Sequence, residues 1–115
     1  MDIEKLQKFC ISLPSVTEDI KWEHDLVFSI GGKMFCVASL NPPFTYSFKV
    51  NDEEFEELIL KEGFLPAPYM ARAKWVLVED VTKLNKKEWE AALKKSYQLV
   101  AAKLTKKLRI ELGIY

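Results

Sequence analysis

The sequence has few of the residues that metal sites and disulfide frameworks require. Only two cysteines, Cys10 and Cys36, and one histidine, His24, occur among the 115 residues. No C-x-x-C pair is present, so no zinc site is predicted. Both cysteines lie in apolar segments, where a buried thiol behaves as a small hydrophobic group. We therefore expect two free cysteines in the core, with no metal site and no cofactor.

Long hydrophobic runs are also missing. No segment approaches the roughly 20 consecutive apolar residues of a membrane-spanning helix. Residues 1–5 are partly acidic and are not followed by the apolar stretch of a signal peptide. Free cysteines suit a reducing compartment. These features predict a cytoplasmic protein without membrane contact.

Catalytic signatures are lacking as well. His24 has no G-x-S-x-G motif or identifiable nucleophile to accompany it. Gly31-Gly32-Lys33 is too short for a phosphate-binding loop and lies between two predicted strands. The acidic residues within 52–62 do not follow the calcium-loop pattern. We expect no catalytic residues, and hence a binding module and not an enzyme.

Net charge is zero, because 17 basic residues balance 17 acidic ones. The two signs are distributed unevenly along the chain. Residues 83–111 hold nine Lys or Arg against three Glu, whereas residues 1–82 hold eight basic against fourteen acidic residues. Such asymmetry can mark an interaction surface. It can equally be the lysine-rich solvated face of one helix.

What the sequence does contain is enough apolar material for one core. Hydrophobic residues make up 49% of the chain and aromatic residues 12%. A chain of this length and composition predicts one domain covering residues 1–115.

Periodicity predicts a first helix from Ile3 to Leu13, capped by Asp2 and ended by Pro14. The polar residues 15–21 are predicted to be a connection. Alternation then predicts strands around residues 26–30 and 46–50. A nearly continuous apolar run predicts a strand at residues 34–40 that is covered on both faces, or close to it. Gly31-Gly32 predicts a tight hairpin between the first two of these strands.

Two further helices carry capping-box spacing at their starts. Asn51 with Glu54, and Asn85 with Glu88, have the required separation of three residues. Residues 63–74 are predicted to be a loop and residues 75–78 a strand. The last helix carries an apolar stripe at helical spacing from Trp89 to Leu104.

The predicted element order is therefore α-β-β-β-α-β-α, with a short terminal helix possible after it. Strands joined by short turns pair antiparallel, so the sheet is predicted to be mainly antiparallel. The predicted class is α+β, with helices packed on one face of the sheet.

Four segments of the chain resemble the MmcQ/YjbR family of small bacterial proteins. The segments are residues 10–18 (CISLPSVTE), 28–35 (FSIGGKMF), 96–104 (SYQLVAAKL) and 106–109 (KKLR). The resemblance implies a CyaY-like, or frataxin-like, α+β fold. It also implies DNA binding through a double-wing arrangement of the sheet, with no catalytic residues to transfer.

One segment departs from the family pattern. Where the family often has Met-Asn-x-x-His-Trp, this chain has Met70, Ala71, Arg72, Ala73, Lys74 and Trp75. A role that needs the amide and the imidazole is therefore in doubt. A phosphate contact remains available, because Lys74 supplies a cation.

The leading functional prediction is a DNA-binding protein that contacts backbone phosphates through Lys and Arg, since cations that neutralise phosphates release bound counterions. Trp75 either stacks on a base or belongs to the core. The predicted contact residues are Lys33, Lys49, Arg72, Lys74, Trp75, Lys103, Lys106, Lys107 and Arg109.

An alternative prediction is a module that binds another protein or a small ligand. It would use the sheet face and the loop at residues 63–74, with an apolar pocket near Tyr69, Met70 and Trp75. The sequence does not indicate an oligomeric state.

Overall fold

The structure, a computed structural model, describes residues 1–114 and confirms the α+β class. These residues form six strands, four α-helices and one short 3-10 helix. Their bounds are α1 Ile3–Ser12, β1 Val16–Lys21, β2 Asp25–Ile30, β3 Lys33–Ser39, β4 Tyr46–Lys49, α2 Asp52–Leu58, β5 Phe64–Pro66, β6 Trp75–Val78, the 3-10 helix Val81–Lys83, α3 Lys86–Ala101 and α4 Lys106–Glu111.

All six strands form one antiparallel sheet in the order β1-β2-β3-β4-β6-β5. The predicted hairpin joins β2 to β3. Gly31 has φ 59° and Gly32 has φ 81°, the pair of positive values that a two-residue type I′ turn requires. Glycine adopts these angles without a steric penalty, so the turn follows directly from the sequence.

The predicted element order omitted two strands, and both lie at edges of the sheet. Residues 15–21 were predicted to be a polar connection, but Val16–Lys21 forms β1, where every residue except Val16 is exposed. A strand with so little burial shows no apolar alternation. Phe64–Pro66 forms β5 inside the predicted loop 63–74. It has three residues and contains Pro66, which an edge strand tolerates.

The predicted helix caps are confirmed. The Asp2 side chain accepts a hydrogen bond from the Lys5 backbone N–H. Both capping boxes form, with Asn51 and Asn85 each bonded reciprocally to the glutamate three residues later. None of the helices within residues 1–114 is long and apolar enough to cross a membrane.

One face of the sheet carries the main core, as predicted. Side chains from α1, α2 and α3 pack there against alternate residues of the strands. Leu6 and Cys10 of α1 and Phe28 and Cys36 of the sheet are fully buried. The two cysteines are free, which confirms their predicted place in the core.

The opposite face of the sheet has a smaller apolar cluster. Val27 and Val37 lie directly opposite each other on β2 and β3. Ala67, in the segment between β5 and β6, and Trp75, the first residue of β6, pack against them. Both faces of β3 are therefore covered, as its nearly continuous apolar sequence indicated.

Trp89 anchors α3 on the helix-covered face. Its ring is fully buried, and its indole N–H donates to the carbonyl oxygen of Val81 at 2.8 Å. Edge-to-face contacts join it to Tyr46 and Phe48, with ring centroids 5.3 and 5.7 Å apart. Such pairs add to the stabilisation from burial alone.

We expect Trp89→Ala to lower the free energy of unfolding by about 3–5 kcal/mol, because it leaves a cavity and removes these contacts. Urea denaturation followed by far-UV circular dichroism measures this loss. Trp22→Ala is the matched control, since Trp22 is 60% exposed. Its loss should stay within about 0.5 kcal/mol. Similar losses for both variants would contradict the anchoring role.

The two turn glycines offer a second matched pair. A Cβ at Gly31 would lie 2.8 Å from Leu104 Cδ1, whereas a Cβ at Gly32 would meet nothing within 4 Å. Both alanine variants carry the cost of a positive φ, about 1 kcal/mol. Gly31→Ala should cost about 1–3 kcal/mol more through overpacking. Equal losses in urea denaturation would show that the hairpin does not pack closely on Leu104.

Candidate nucleic-acid interface

Several of the predicted contact residues lie at one end of the sheet. At this end β2 and β4 finish and β3 and β6 begin. Lys33 is the first residue of β3 and pairs with Ile30. Lys49 is the last residue of β4 and pairs with Trp75, which follows Lys74. The antiparallel register therefore places Lys33 and Lys74, which are 41 residues apart in the chain, at the same end of the sheet.

The C-terminal half of α3 and the turn into α4 pack against the same end. Ser96 of α3 donates a hydrogen bond to the carbonyl oxygen of Lys49. Gly31 in the β2–β3 turn closely approaches Leu104 and Leu108. These contacts bring the basic segment at residues 103–109 to the end of the sheet that already carries Lys33 and Lys49.

We refer to this region as the basic end. It comprises seven of the nine residues predicted from the sequence. They are Lys33, Lys49, Arg72, Lys74, Lys103, Lys106 and Lys107.

Lys49, Lys74 and Lys103 are close enough to influence one another electrostatically. Burial lowers the pKa of Lys49, and the positive charges of Lys103 and Lys74 lower it further. The Lys49 ammonium group donates to the carbonyl oxygen of Ala73. The Lys74 ammonium group lies 4.9 Å from the ring centroid of Phe55, a cation–π contact. The positive charges of Lys74 and Lys103 thus both act on Lys49.

Carboxylates border this group on one side. Asp52 favours the charged form of Lys49 and partly offsets the lowering of its pKa. Asp52 and Glu53, in the first turn of α2, line a cavity of about 530 Å³ together with Lys49 and Lys103. The basic end is therefore positive but adjoins an acidic helix, and the two surfaces meet at Lys49.

Trp75 does not belong to the basic end. Its side chain is 5% exposed and packs with Val27, Val37 and Ala67. A base could not stack on this ring unless the segment at residues 67–74 moved away. The structure therefore favours the second of the two interpretations made from the sequence, in which Trp75 is a core residue.

Arg109 is partly buried and lines a cleft. The cleft, of about 410 Å³, lies between α3, α4 and the turn at Pro14. Within residues 1–114, the Nε atom of Arg109 is buried and has no hydrogen-bond partner. An unsatisfied buried donor costs about 1–3 kcal/mol. No pattern in the sequence indicated this cleft, because it arises where α4 turns back onto α3.

A second, smaller cavity lies on the opposite face of the sheet. It has a volume of about 210 Å³ and is lined by Val37, Ser47 and Leu77 of the sheet and by Tyr69 and Met70 of the covering segment. It occupies the place where the alternative prediction expected an apolar pocket. Trp75 is not among its lining residues.

His24 and the acidic residues do not form a metal site in the described part of the chain. No group of three or more His, Cys, Asp or Glu side chains within residues 1–114 could hold a metal ion. His24 Nε2 lies 3.9 Å from a carboxylate oxygen of Glu23, with both side chains largely exposed. Its position next to Leu40 places it at the end of the sheet opposite the basic end.

Comparison with known proteins gives a family and a fold. The family model described as YjbR matches residues 11–99. This match stops before Lys103 and the basic residues of α4. A comparison with curated proteins finds no significant match.

Two solved structures are similar to this one. A protein of Deinococcus radiodurans with a DUF419 domain is 29% identical with a TM-score of 0.86, over 98% of this chain and 88% of that chain. A protein of Pseudomonas syringae is 21% identical with a TM-score of 0.70, over 87% of this chain and 99% of that chain. The second likeness shows a shared fold. The YjbR family model matches most of the length of this chain, and the chain therefore belongs to the YjbR family.

Proposed function

We propose that this protein binds nucleic acid through the phosphate backbone, using the basic end defined above. The observation that carries this proposal is the grouping of Lys49, Lys74 and Lys103, which come from three different elements. Burial lowers the pKa of Lys49, repulsion from Lys103 and Lys74 lowers it further, and Asp52 partly offsets this change. A phosphate placed among them relieves that repulsion and releases counterions from the nucleic acid.

The size of the molecule suits a short stretch of duplex. Its two shorter dimensions are 29 and 28 Å. At 3.4 Å per base pair, an end of this width faces roughly eight base pairs of DNA. Two further cations are Lys33, at the β2–β3 turn, and Arg72, in the segment before β6. They would contact phosphates on either side of the central lysines.

The chemistry of the basic end favours binding that is independent of base sequence. Lysine is a flexible point charge, whereas base recognition relies on planar side chains that bond two atoms of a base edge. Trp75 is buried and supplies no stacking surface. With zero net charge on the whole chain, we expect weak affinity with steep salt dependence.

The cavity beside Tyr69 and Met70 favours a second candidate function, the binding of a small apolar ligand on the sheet face. Its volume of about 210 Å³ is below the roughly 300–1,000 Å³ of most ligand pockets. A ligand there would have to be small, or Tyr69, which is fully exposed, would have to close over it. This function would not require the basic end.

We expect duplex DNA to bind with a slope of log Kobs against log salt between about −3 and −6, for three to seven neutralised phosphates. In the variant Lys74→Gln/Lys103→Gln, loss of two contacts should make the slope less steep by about 1.8. Fluorescence anisotropy with a labelled 20-base-pair duplex, between 20 and 200 mM salt, measures both slopes.

The control is Lys21→Gln/Lys61→Gln, which changes net charge equally. Lys21 pairs with Asp25 and Lys61 bonds to Phe64, so both lie at the opposite end of the sheet. Its slope should match that of the unmodified chain. Absence of binding at 20 mM salt, or equal slopes for the two double variants, would rule out the proposed interface. Circular dichroism confirms that each variant is folded.

A further inference from the structure

The cleft at Arg109 has the features of a binding site of its own. The side chain reaches from α4 toward the C-terminal half of α3. The lining residues are Pro14, Tyr97, Gln98, Ala101, Ala102, Arg109, Gly113 and Ile114. The volume of about 410 Å³ falls within the range of small-molecule sites. None of the lysines of the basic end lines this cleft.

The guanidinium group of Arg109 forms no ion pair with another residue of the described range, 1–114. Within residues 1–114, the ion pairs are Lys95 with Glu54 and the weak pair of His24 with Glu23, and neither involves Arg109. Its Nε is buried without a hydrogen bond. Such an atom is uncommon in folded proteins and calls for an explanation. A ligand that accepts from Nε and a neighbouring Nη supplies one.

The walls of the cleft determine which anion fits. Pro14, Ala101, Ala102 and Ile114 present apolar surface beside the single cation. The Tyr97 hydroxyl donates to the Pro14 carbonyl oxygen at 2.7 Å, so this donor is already used. The C-terminal end of α3 adds partial negative charge nearby. One cation beside apolar walls and a helix C-terminus suits a monoanion better than a phosphate dianion.

We propose that this cleft binds a small monocarboxylate with an apolar substituent. The two carboxylate oxygens would accept hydrogen bonds from Nε and one Nη of Arg109, in the bidentate geometry that arginine favours. Because Nε is now shut off from solvent, binding requires a rotation of the side chain toward the cleft. The apolar substituent would then lie against Ala101, Ala102 and Ile114.

This proposal goes beyond nucleic-acid binding and does not depend on it. Phosphate contacts are assigned to the lysines of the basic end, none of which lines the cleft, whereas Arg109 does line it. A small acid in the cleft would engage Arg109 alone. Each function can therefore be tested in the absence of the ligand of the other.

The test is isothermal titration calorimetry of the full chain with benzoate and with benzamide, its neutral analogue of nearly equal shape. We expect benzoate to bind with a dissociation constant on the order of 1 mM, and benzamide at least tenfold more weakly. Arg109→Met should weaken benzoate binding at least tenfold. Arg109→Lys, which keeps the charge but loses the planar pair of donors, should also weaken it severalfold.

The matched control is Lys107→Met, on the same helix but exposed, which should leave benzoate binding unchanged. Failure of benzoate to bind the unmodified chain would overturn the proposal. Equal affinity for benzamide, or equal binding by the chain and by Arg109→Met, would do the same. A loss in Lys107→Met as large as that in Arg109→Met would show general electrostatic attraction and not a site. None of these outcomes bears on the salt dependence of DNA binding.

Discussion

The packing of α3 across the sheet is the contact on which the rest of the structure depends. Trp89 near the start of the helix is fixed by Tyr46, Phe48 and the Val81 carbonyl oxygen. Leu93, Tyr97 and Val100 continue the same buried stripe on α3, and Leu104 extends it in the turn after the helix. With a rise of 1.5 Å per residue, the 16 residues of α3 extend about 24 Å, from one end of the sheet to the other.

This crossing explains how basic residues from both halves of the chain meet. The sheet brings Lys33, Lys49 and Lys74 to one end through its antiparallel register. The buried stripe brings Lys103 to that end, because Ser96 and Leu104 contact the Lys49 carbonyl oxygen and the β2–β3 turn. The charge asymmetry along the sequence becomes a positive surface only through these contacts. The acidic first turn of α2 limits that surface, since it begins directly after β4.

The two faces of the sheet serve different purposes. The helix-covered face holds the large core and gives the fold its stability. The other face is covered by the short segment that contains Ala67 and Met70, which leaves a small cavity and an exposed Tyr69. The Arg109 cleft lies on neither face of the sheet but between α3, α4 and the turn at Pro14. The Arg109 cleft and the cavity beside Tyr69 are therefore lined by none of the lysines of the basic end.

The sequence by itself determined the elements whose signals are local. The Gly31-Gly32 turn, the two capping boxes, the Asp2 cap and the α3 stripe all depend on residues within a few positions of one another. Strand β1 was missed because an edge strand that is nearly all exposed shows no alternation of apolar residues. Strand β5 was missed because three residues with a proline carry too weak a pattern.

Most of the basic residues could likewise be identified from the sequence, because a cation on a predicted turn or exposed helix face is a local feature. Only the tertiary structure decided which of them meet, since their proximity depends on strand register and on the crossing of α3. It also decided that Trp75 is buried and that Arg109 faces a cleft. Both outcomes depend on what covers a side chain, and the covering segments come from distant parts of the chain.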